Sequence, residues 1–186
     1  INNFPKTMMD WKSIIDNEWT LFLDRDGVIN VRIIDGYVTN IEDFEFLPNV
    51  IEAFKIFSDK FKRIIIVTNQ QGVGKGIMTN EDVRNVHSYM VHEIESKGGK
   101  IDGVYFCPQL KSDPDNYRKP SPMMAYYAKN EFPDIDLQKS IMIGDMNSDV
   151  EFGKNAGMKT IFVGDNELTL TPDDRFNTLY DFAKTL

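Results

Sequence analysis

The sequence contains one cysteine, Cys107, and only two histidines in 186 residues. One thiol cannot form an internal disulfide, and this cysteine usage is typical of a reducing cytoplasm, where we expect the protein to act. No apolar run is long enough to cross a bilayer and no signal-peptide pattern opens the chain, so we predict no membrane partner. The net charge of −8, from 21 basic and 29 acidic residues, argues against nucleic acid as the main partner.

The length and composition indicate one globular domain with a sizeable core. The chain is 41% hydrophobic and 12% aromatic, which is far from the composition of a disordered segment. Residues 1–19 resemble a lead-in segment. Its apolar residues are at helical spacing, and a stripe of this kind more often covers a core than contacts a partner. They are Trp11, Ile14, Ile15 and Trp19. We therefore predict a lead-in over 1–19 and a single domain over 20–186, as a monomer or weak dimer.

Strand-like and helical stretches alternate five times along the chain. The strand-like runs are residues 21–24, 64–68, 103–106, 141–144 and 160–163. The helical stretches begin at Pro48, after Thr79, near Pro122, at Asp149 and after Thr171-Pro172. This alternation predicts an α/β fold with a three-layer, Rossmann-like parallel sheet and helices on both faces.

Two segments interrupt the alternation and are long for ordinary loops. Residues 30–47 contain Gly36 and Tyr37, and residues 107–120 contain three prolines. Long loops in compact domains are usually functional, so we expect both segments near a site.

Acidic residues follow the first and fourth strands. Asp24 and Asp26 come directly after the apolar run 20–23, and Asp145 and Asp149 follow the run 141–144. If these strands are neighbours at a switch in strand order, the four carboxylates converge in one crevice. Mg²⁺, which takes hard oxygen ligands, is the simplest cation to hold them together. The alternative is an ordinary turn after one strand and helix capping after the other.

Polar and basic side chains follow the second and third strands. Thr68, Asn69 and Gln70 end the second strand, and a threonine with the amides after it can hold a phosphoryl group. Arg118 and Lys119 follow the third strand and could supply positive charge to an anionic ligand. The alternative is that Thr68, Asn69 and Gln70 form an ordinary turn and that Arg118 and Lys119 are a basic pair on the surface.

Taken together, these four segments resemble the signature of the haloacid dehalogenase (HAD) superfamily of phosphotransferases. The matching residues are 24–30, 67–70, 118–120 and 144–149, in that order, and the resemblance covers about residues 20–165. Residues 36–38, 44–46 and 105–108 add a resemblance to the heptose bisphosphate phosphatase and histidinol-phosphate phosphatase branch. The implied fold is HAD-like. The intervals between the motifs leave no room for a separate cap domain.

The resemblance implies a role for each motif residue. Asp24 would be the nucleophile that forms an aspartyl-phosphate, and Asp26 the acid and base. Thr68 and Lys119 would complete the catalytic set by offsetting charge on the transferring oxygens. The implied ligands of Mg²⁺ are Asp24, Asp26, Asp145 and Asp149. The implied substrate-binding residues are Asn69, Gln70, Arg118, Gly36 and Tyr37.

The loop before Arg118 departs from the branch pattern. Relatives in the branch often bind zinc there through a Cys-x-His pair and a later Cys-x-Cys pair. Here Cys107 remains, Gln109 stands at the histidine position, and the later cysteines are absent, with Asn116 and Tyr117 preceding Arg118. One thiolate cannot build a tetrahedral site, so we predict no structural zinc.

The implied function is a Mg²⁺-dependent phosphomonoesterase acting on a small phosphorylated metabolite, with a heptose bisphosphate as the first hypothesis. Histidinol phosphate is the second hypothesis, and a nucleic-acid end is the third. From a different class, a receiver-type module that only accepts a phosphoryl group also gathers aspartates, a threonine and a lysine on a parallel sheet. Such modules lack a leaving-group acid two residues after the acceptor, so Asp26 favours an enzyme.

Overall fold

A computed structural model of the protein describes residues 9–186 and contains one six-stranded parallel sheet between two layers of helices. The strand order is β3-β2-β1-β4-β5-β6, so the first strand lies at the centre, where the order switches direction. The predicted α/β, Rossmann-like sheet is confirmed, and within the described residues no separate cap domain interrupts it. The bounds of the strands and helices in chain order are α1 Trp11–Ile14, β1 Thr20–Leu23, α2 Val50–Lys60, β2 Arg63–Asn69, α3 Asn80–Ser96, β3 Gly103–Cys107, α4 Met123–Glu131, β4 Ser140–Gly144, α5 Asn147–Asn155, β5 Lys159–Val163, β6 Asp174–Phe176 and α6 Leu179–Ala183.

The central strands are buried on both faces, which is why they read as continuous apolar runs. In β1, Leu21 and Leu23 pack on one face of the sheet with residues of α2, α3 and α6. Phe22 points to the other face and packs with residues of α4 and α5. All three side chains are fully buried. The alternation of side chains along the strand therefore places one helical layer on each side.

Local signals at the helix ends agree with the structure. Thr79 caps α3: its hydroxyl accepts a hydrogen bond from the Asp82 N–H at 3.1 Å. The Asp82 carboxylate in turn accepts from the Thr79 N–H at 2.7 Å. This reciprocal capping box satisfies two N–H groups that the first turn leaves free. The start of α3 predicted after Thr79 is confirmed.

The last part of the chain differs from the prediction. A helix was expected directly after Thr171-Pro172, but residues 174–176 form the edge strand β6 and the helix α6 begins only at Leu179. Asp174-Arg175-Phe176 carries no apolar alternation, and this short strand pairs only with β5. Its strand conformation is set by the tertiary neighbour, so local pattern could not reveal it.

The described part of the lead-in is packed onto the domain. Trp11 in α1 is 1% exposed, and its indole N–H donates to the Asp174 carboxylate at 2.8 Å. Its ring also meets Phe182 edge to face, with 5.8 Å between the ring centroids. Residues 1–8 of the predicted lead-in lie outside the described residues, and the division at residue 19 stays a prediction.

No helix among residues 9–186 combines the length and the apolar character that a membrane span requires.

We expect Trp11→Ala to lower the free energy of unfolding by about 3–5 kcal/mol, because it leaves a cavity against Phe182 and removes a partner of Asp174. Urea denaturation of the mutant and the parent protein measures this loss.

Trp11→Phe is the matched variant, since it keeps an aromatic ring and removes only the N–H donor. A smaller loss of about 1–3 kcal/mol is expected for it. Equal stability of Trp11→Ala and the parent would show that the lead-in does not support the domain.

Candidate active site

The site is built at the carboxyl ends of β1 and β4, which are neighbours in the sheet. Leu23 stands in register with Ile143, and the Asp24 N–H continues the ladder by donating to the Ile143 carbonyl at 3.0 Å. Parallel strands that are paired in register end at the same edge, so Asp24 and Asp145 are brought side by side. The predicted convergence of the two acidic segments is therefore confirmed.

Three of the predicted carboxylates form one buried cluster. Asp24, Asp145 and Asp149 each offer an oxygen, and these oxygens lie within 4.8 Å of one another. Each residue is at most 6% exposed. Burial, followed by the charge of Asp24, raises the pKa of Asp145 and of Asp149 above the usual range. Carboxylates gathered this tightly in a buried site repel one another unless cations lie beside them or their pKa values rise.

Two glycines make room for this cluster. A Cβ at Gly144 would lie 2.1–2.3 Å from side-chain atoms of Asp149. A Cβ at Gly27 would lie 2.1 Å from an Asp145 oxygen, and Gly27 also has a φ of +85°. The close approach of the backbone to the carboxylates therefore needs glycine at both positions.

Lys119 is the buried cation of the site. Its ammonium group lies 2.8 Å from Asp24 Oδ1 and 2.6 Å from Asp149 Oδ1, and it donates to the Val67 carbonyl at 2.8 Å. Burial by itself would lower the pKa of Lys119, but the charges of Asp149 and Asp24 outweigh it and raise the pKa. Lys119 is therefore held as an ammonium ion between two carboxylates.

Asn69 fixes the loop that carries Lys119. Its amide donates to the Lys119 carbonyl at 3.1 Å, and its side-chain oxygen accepts from the Lys119 N–H at 2.9 Å. This two-way clamp joins the end of β2 to the loop after β3. The side chain of Asn69 thus positions Lys119 while also lining the cavity.

The Asp26 carboxylate lies among three donors. Arg25 contacts both of its oxygens at 2.9 and 3.0 Å, Asn30 donates at 2.9 Å, and Gln70 donates at 2.9 Å. Burial would raise the pKa of Asp26, but the Arg25 charge and these hydrogen bonds together lower it. Gln70 also donates to the Thr68 hydroxyl at 2.9 Å, so it links Thr68 to Asp26.

Sequence reasoning missed the partner of Arg25. The guanidinium Nη1 lies 3.0 Å from Nε2 of His87, a residue of α3 that is 6% exposed. Burial, and then the Arg25 charge, lowers the pKa of His87 to about 3, so the imidazole is neutral. No sequence signal pointed to this contact, because 62 residues separate the two side chains.

A cavity of about 540 Å³ opens above the carboxylates. Its walls include nine of the eleven residues that the sequence predicted for the site: Asp24, Asp26, Gly36, Tyr37, Thr68, Asn69, Arg118, Lys119 and Asp149. Gln70 lies behind Asp26 and is 1% exposed, so it is not on the cavity wall. Asp145 is also off the wall, and the side chain of Arg32 lies against it. Lys75, which the sequence did not indicate for the site, lines the cavity with its ammonium 5.4 Å from the centroid of the Tyr37 ring.

Arg118 presents a cation that has no counter-ion among the residues that the structure describes. Its Nε is buried and has no hydrogen-bond partner. Among residues 9–186, no carboxylate forms an ion pair with its guanidinium group. An unpaired guanidinium on a cavity wall is suited to an anionic group of a ligand.

Arg32 is a second site residue that the sequence did not indicate. Its guanidinium Nη2 donates to Asp145 Oδ1 at 2.8 Å and to the Asp26 carbonyl at 2.6 Å, and it lies 3.8 Å from Asp24 Oδ2. Burial would lower the pKa of Arg32, but the charges of Asp145 and Asp24 raise it. Arg32 comes from the irregular segment between β1 and α2, where no periodic pattern marks a functional side chain.

The oxygen set around Arg32 fits a divalent cation. The Asp24 and Asp145 carboxylates and the Asp26 carbonyl are hard oxygen donors, which Mg²⁺ prefers, and they already surround one positive group. The Asp149 carboxylate lies beside them and accepts a hydrogen bond from the Met146 N–H at 3.1 Å. The donors present here therefore fit the predicted Mg²⁺.

The loop for which no zinc was predicted is closed by hydrogen bonds. Cys107 Sγ lies 3.7 Å from the Gln109 side-chain oxygen, which also accepts from the Tyr117 N–H at 3.2 Å. Asn116 donates to the Asp113 carbonyl at 2.7 Å. Burial raises the pKa of the Cys107 thiol. The absence of zinc stays a prediction.

The pKa of His87 leads to a testable pH dependence of stability. Below pH 6.5 the unfolded chain takes up a proton on this imidazole, whereas the folded protein keeps it neutral until about pH 3. The free energy of unfolding should therefore fall as the pH drops through this window. His87→Gln should flatten the slope between pH 6.5 and 4, as measured by urea denaturation at several pH values.

His92→Gln is the control, because His92 lies on the same helix and is exposed. It should leave the slope unchanged. An unchanged slope in His87→Gln as well would contradict the neutral, buried state of His87.

Comparisons with known proteins find relatives of the family that the sequence motifs indicated. A HAD-hydrolase-like family model matches residues 116–178. The D-glycero-alpha-D-manno-heptose-1,7-bisphosphate 7-phosphatase of Mycobacterium tuberculosis is 36% identical over 172 residues, covering 90% of each chain. The enzyme of the same name from Campylobacter jejuni is 40% identical over 147 residues, covering 79% of this chain and 83% of the relative.

Solved structures show the same fold. The crystal structure of D,D-heptose 1,7-bisphosphate phosphatase from B. bronchiseptica, complexed with magnesium and phosphate, superposes with a TM-score of 0.80 at 24% identity. The match covers 89% of this chain and 96% of that one. Together with the sequence relatives, this likeness favours an enzyme over the receiver-type module. The chain belongs to the HAD superfamily, in the family of the heptose-1,7-bisphosphate phosphatases, and it is a phosphatase.

Proposed function

We propose that this phosphatase hydrolyses one phosphate ester of a heptose 1,7-bisphosphate, with Mg²⁺ and an aspartyl-phosphate on Asp24. The observation that carries the proposal is a cavity lined by two separate basic side chains. At its base Lys119 lies beside the carboxylate cluster, and on its wall Arg118 has no counter-ion within the described part of the chain. The names of the relatives that span most of the chain support the same substrate class.

Mg²⁺ would be held by the Asp24 and Asp145 carboxylates and the Asp26 carbonyl, with Asp149 in support. When bound, the metal supplies positive charge that offsets the charge of a phosphoryl group and of the carboxylates around it.

Asp24 acts as the nucleophile in the first half of the reaction. Its Oδ1 is fixed by the Arg25 N–H at 2.7 Å and by the Lys119 ammonium at 2.8 Å. A bond forms between an Asp24 oxygen and phosphorus, while the ester bond between phosphorus and the sugar oxygen breaks. The leaving oxygen takes a proton from Asp26, which releases the alcohol.

In the second half, water attacks phosphorus and the bond to Asp24 breaks, which frees inorganic phosphate. Asp26 accepts the proton of that water. Its carboxylate form is the one that Arg25, Asn30 and Gln70 stabilise. To carry a proton in the first half, Asp26 must leave part of this donor set, and we expect bound substrate to cause that change.

The remaining motif residues orient the substrate. Lys119 and the hydroxyl of Thr68 offset charge on the phosphoryl oxygens, where positioning and electrostatics supply most of the rate. Asn69 holds Lys119 and offers its amide to the cavity. Gln70 acts behind the site by positioning Asp26.

The substrate is held at its other end by the cavity wall. Arg118 binds the second phosphate through its free guanidinium group. Gly36 and Tyr37 line the wall on the segment between β1 and α2, so they would contact the sugar.

We expect Asp24→Asn to abolish phosphate release from heptose 1,7-bisphosphate, since the amide cannot form the phosphoenzyme. Asp26→Asn should lower kcat by about 10²–10⁴-fold, the usual contribution of a general acid and base. Phosphate release with Mg²⁺ present measures both effects.

Glu151→Gln provides the control, because this carboxylate is exposed on α5 and is separated from the cavity. It should retain the parent rate. Parent rates in either active-site variant would remove the roles given to these aspartates.

Arg118→Ala should raise KM for the 1,7-bisphosphate by at least about tenfold, because a hydrogen bond to a charged group contributes about 1.5–3 kcal/mol. The heptose 7-monophosphate, which lacks the second anion, should show little change in KM. Steady-state kinetics with both substrates make the comparison. Equal losses on the two substrates, or parent-enzyme preference for histidinol phosphate over the bisphosphate, would contradict the proposed substrate.

A further inference from the structure

Arg32 occupies the position that the proposed metal requires. One guanidinium nitrogen, Nη2, approaches the Asp26 carbonyl at 2.6 Å and Asp145 Oδ1 at 2.8 Å, and it lies 3.8 Å from Asp24 Oδ2. Nε adds a second contact to Asp145, at 3.3 Å from Oδ2. These are the same oxygens that would bind Mg²⁺.

The two cations exclude each other. Mg²⁺ binds its oxygen ligands at about 2.0–2.1 Å in near-octahedral geometry, so an ion among these oxygens would overlap the Arg32 nitrogen. Repulsion between the two positive charges adds to the steric conflict. Arg32 must therefore leave the carboxylates before the metal can bind.

The surroundings of Arg32 allow such a movement. Its side chain is 39% exposed and lines the cavity, so the guanidinium can turn away from the carboxylates without crossing the core. The segment between β1 and α2, which carries Arg32, is anchored at one end by the Val31 N–H, which donates to the Glu45 carbonyl at 2.8 Å. Between residues 32 and 43, the backbone hydrogen bonds of the described structure are local, such as that from Gly36 to Ile33.

We propose that Arg32 is a resident counter-ion of the carboxylate cluster, which Mg²⁺ must displace to bind. This counter-ion role rests on the proposed metal site, and it gives Arg32 two effects. Without metal it offsets the repulsion between Asp24 and Asp145 and keeps their oxygens in place. With metal present it competes for those oxygens, and so it sets the Mg²⁺ concentration at which the site fills.

The competition between Arg32 and Mg²⁺ changes the apparent Kd for Mg²⁺ by an amount that can be calculated. When only a fraction of the protein is competent to bind, the apparent Kd rises by the inverse of that fraction. If Arg32 lies among the carboxylates in at least about nine molecules in ten, removing it tightens the apparent Kd for Mg²⁺ by at least about tenfold.

Calorimetric titration of the metal-free protein with Mg²⁺ tests the proposal without using activity. Arg32→Met keeps much of the length and apolar stem of the side chain and removes its charge, and Arg32→Ala is a second variant in case the first folds poorly. Both should bind Mg²⁺ at least about tenfold more tightly than the parent.

Lys75→Ala is the matched control. It removes the same charge from the cavity wall, but in the described structure the Lys75 ammonium lies over Tyr37 and forms no ion pair with the cluster. It should change the Kd by less than about threefold, which measures the long-range effect of charge. Equal tightening in Lys75→Ala and Arg32→Met would overturn the proposal.

Stability supplies an independent readout. The metal-free Arg32→Met protein should melt below the parent, because its carboxylates have lost a counter-ion, and Mg²⁺ should raise its Tm by more. Parent-like Mg²⁺ affinity in both Arg32 variants would overturn the role of Arg32 and leave the metal site standing. Absence of Mg²⁺ binding to any of the proteins would overturn the metal site and this inference together.

Discussion

The repulsion between three buried carboxylates is the constraint on which the rest of the site depends. Asp24, Asp145 and Asp149 offer oxygens within 4.8 Å of one another at the switch point of the sheet. The repulsion is relieved by cations beside the carboxylates and by the raised pKa values of Asp145 and Asp149. The structure supplies Lys119 from the loop after β3 and Arg32 from the segment after β1. Much of the surrounding architecture, from the clamp of Asn69 to the missing side chain of Gly144, serves to hold these charges together.

A second polar network lies beside the cluster and surrounds the Asp26 carboxylate with hydrogen-bond donors. Here Arg25 is fully buried, contacts both oxygens of Asp26, and is itself met by the neutral imidazole of His87. The two aspartates of the first motif thus have separate surroundings, although only one residue lies between them. Asp24 faces the cationic centre, whereas Asp26 is held among amide and guanidinium donors. This separation suits a nucleophile and a proton carrier that must not exchange roles.

Among residues 9–186, loops and not a cap domain form the walls of the cavity above these networks. The segment between β1 and α2 contributes Tyr37 and Arg32, and the loop after β3 contributes Arg118. These walls come from irregular backbone, so the regular pattern of strands and helices does not define their charges. Arg118 on the wall and Arg32 among the carboxylates are the basic residues to which we assign the roles of ligand binding and of competition with the metal.

The sequence by itself determined the elements that depend on local pattern. The five apolar runs form β1 to β5, and Thr79 caps α3. The motif aspartates follow two of these runs, and they meet because parallel strands end at one edge of the sheet. Tertiary structure alone decided the strand β6, the contact between His87 and Arg25, and the place of Arg32 among the carboxylates. These three depend on partners far apart in the chain, and irregular or weakly apolar segments carry no periodicity that would reveal them. Backbone pairing with β5 fixed β6, a hydrogen bond with Arg25 fixed the neutral His87, and the carboxylate charges fixed Arg32.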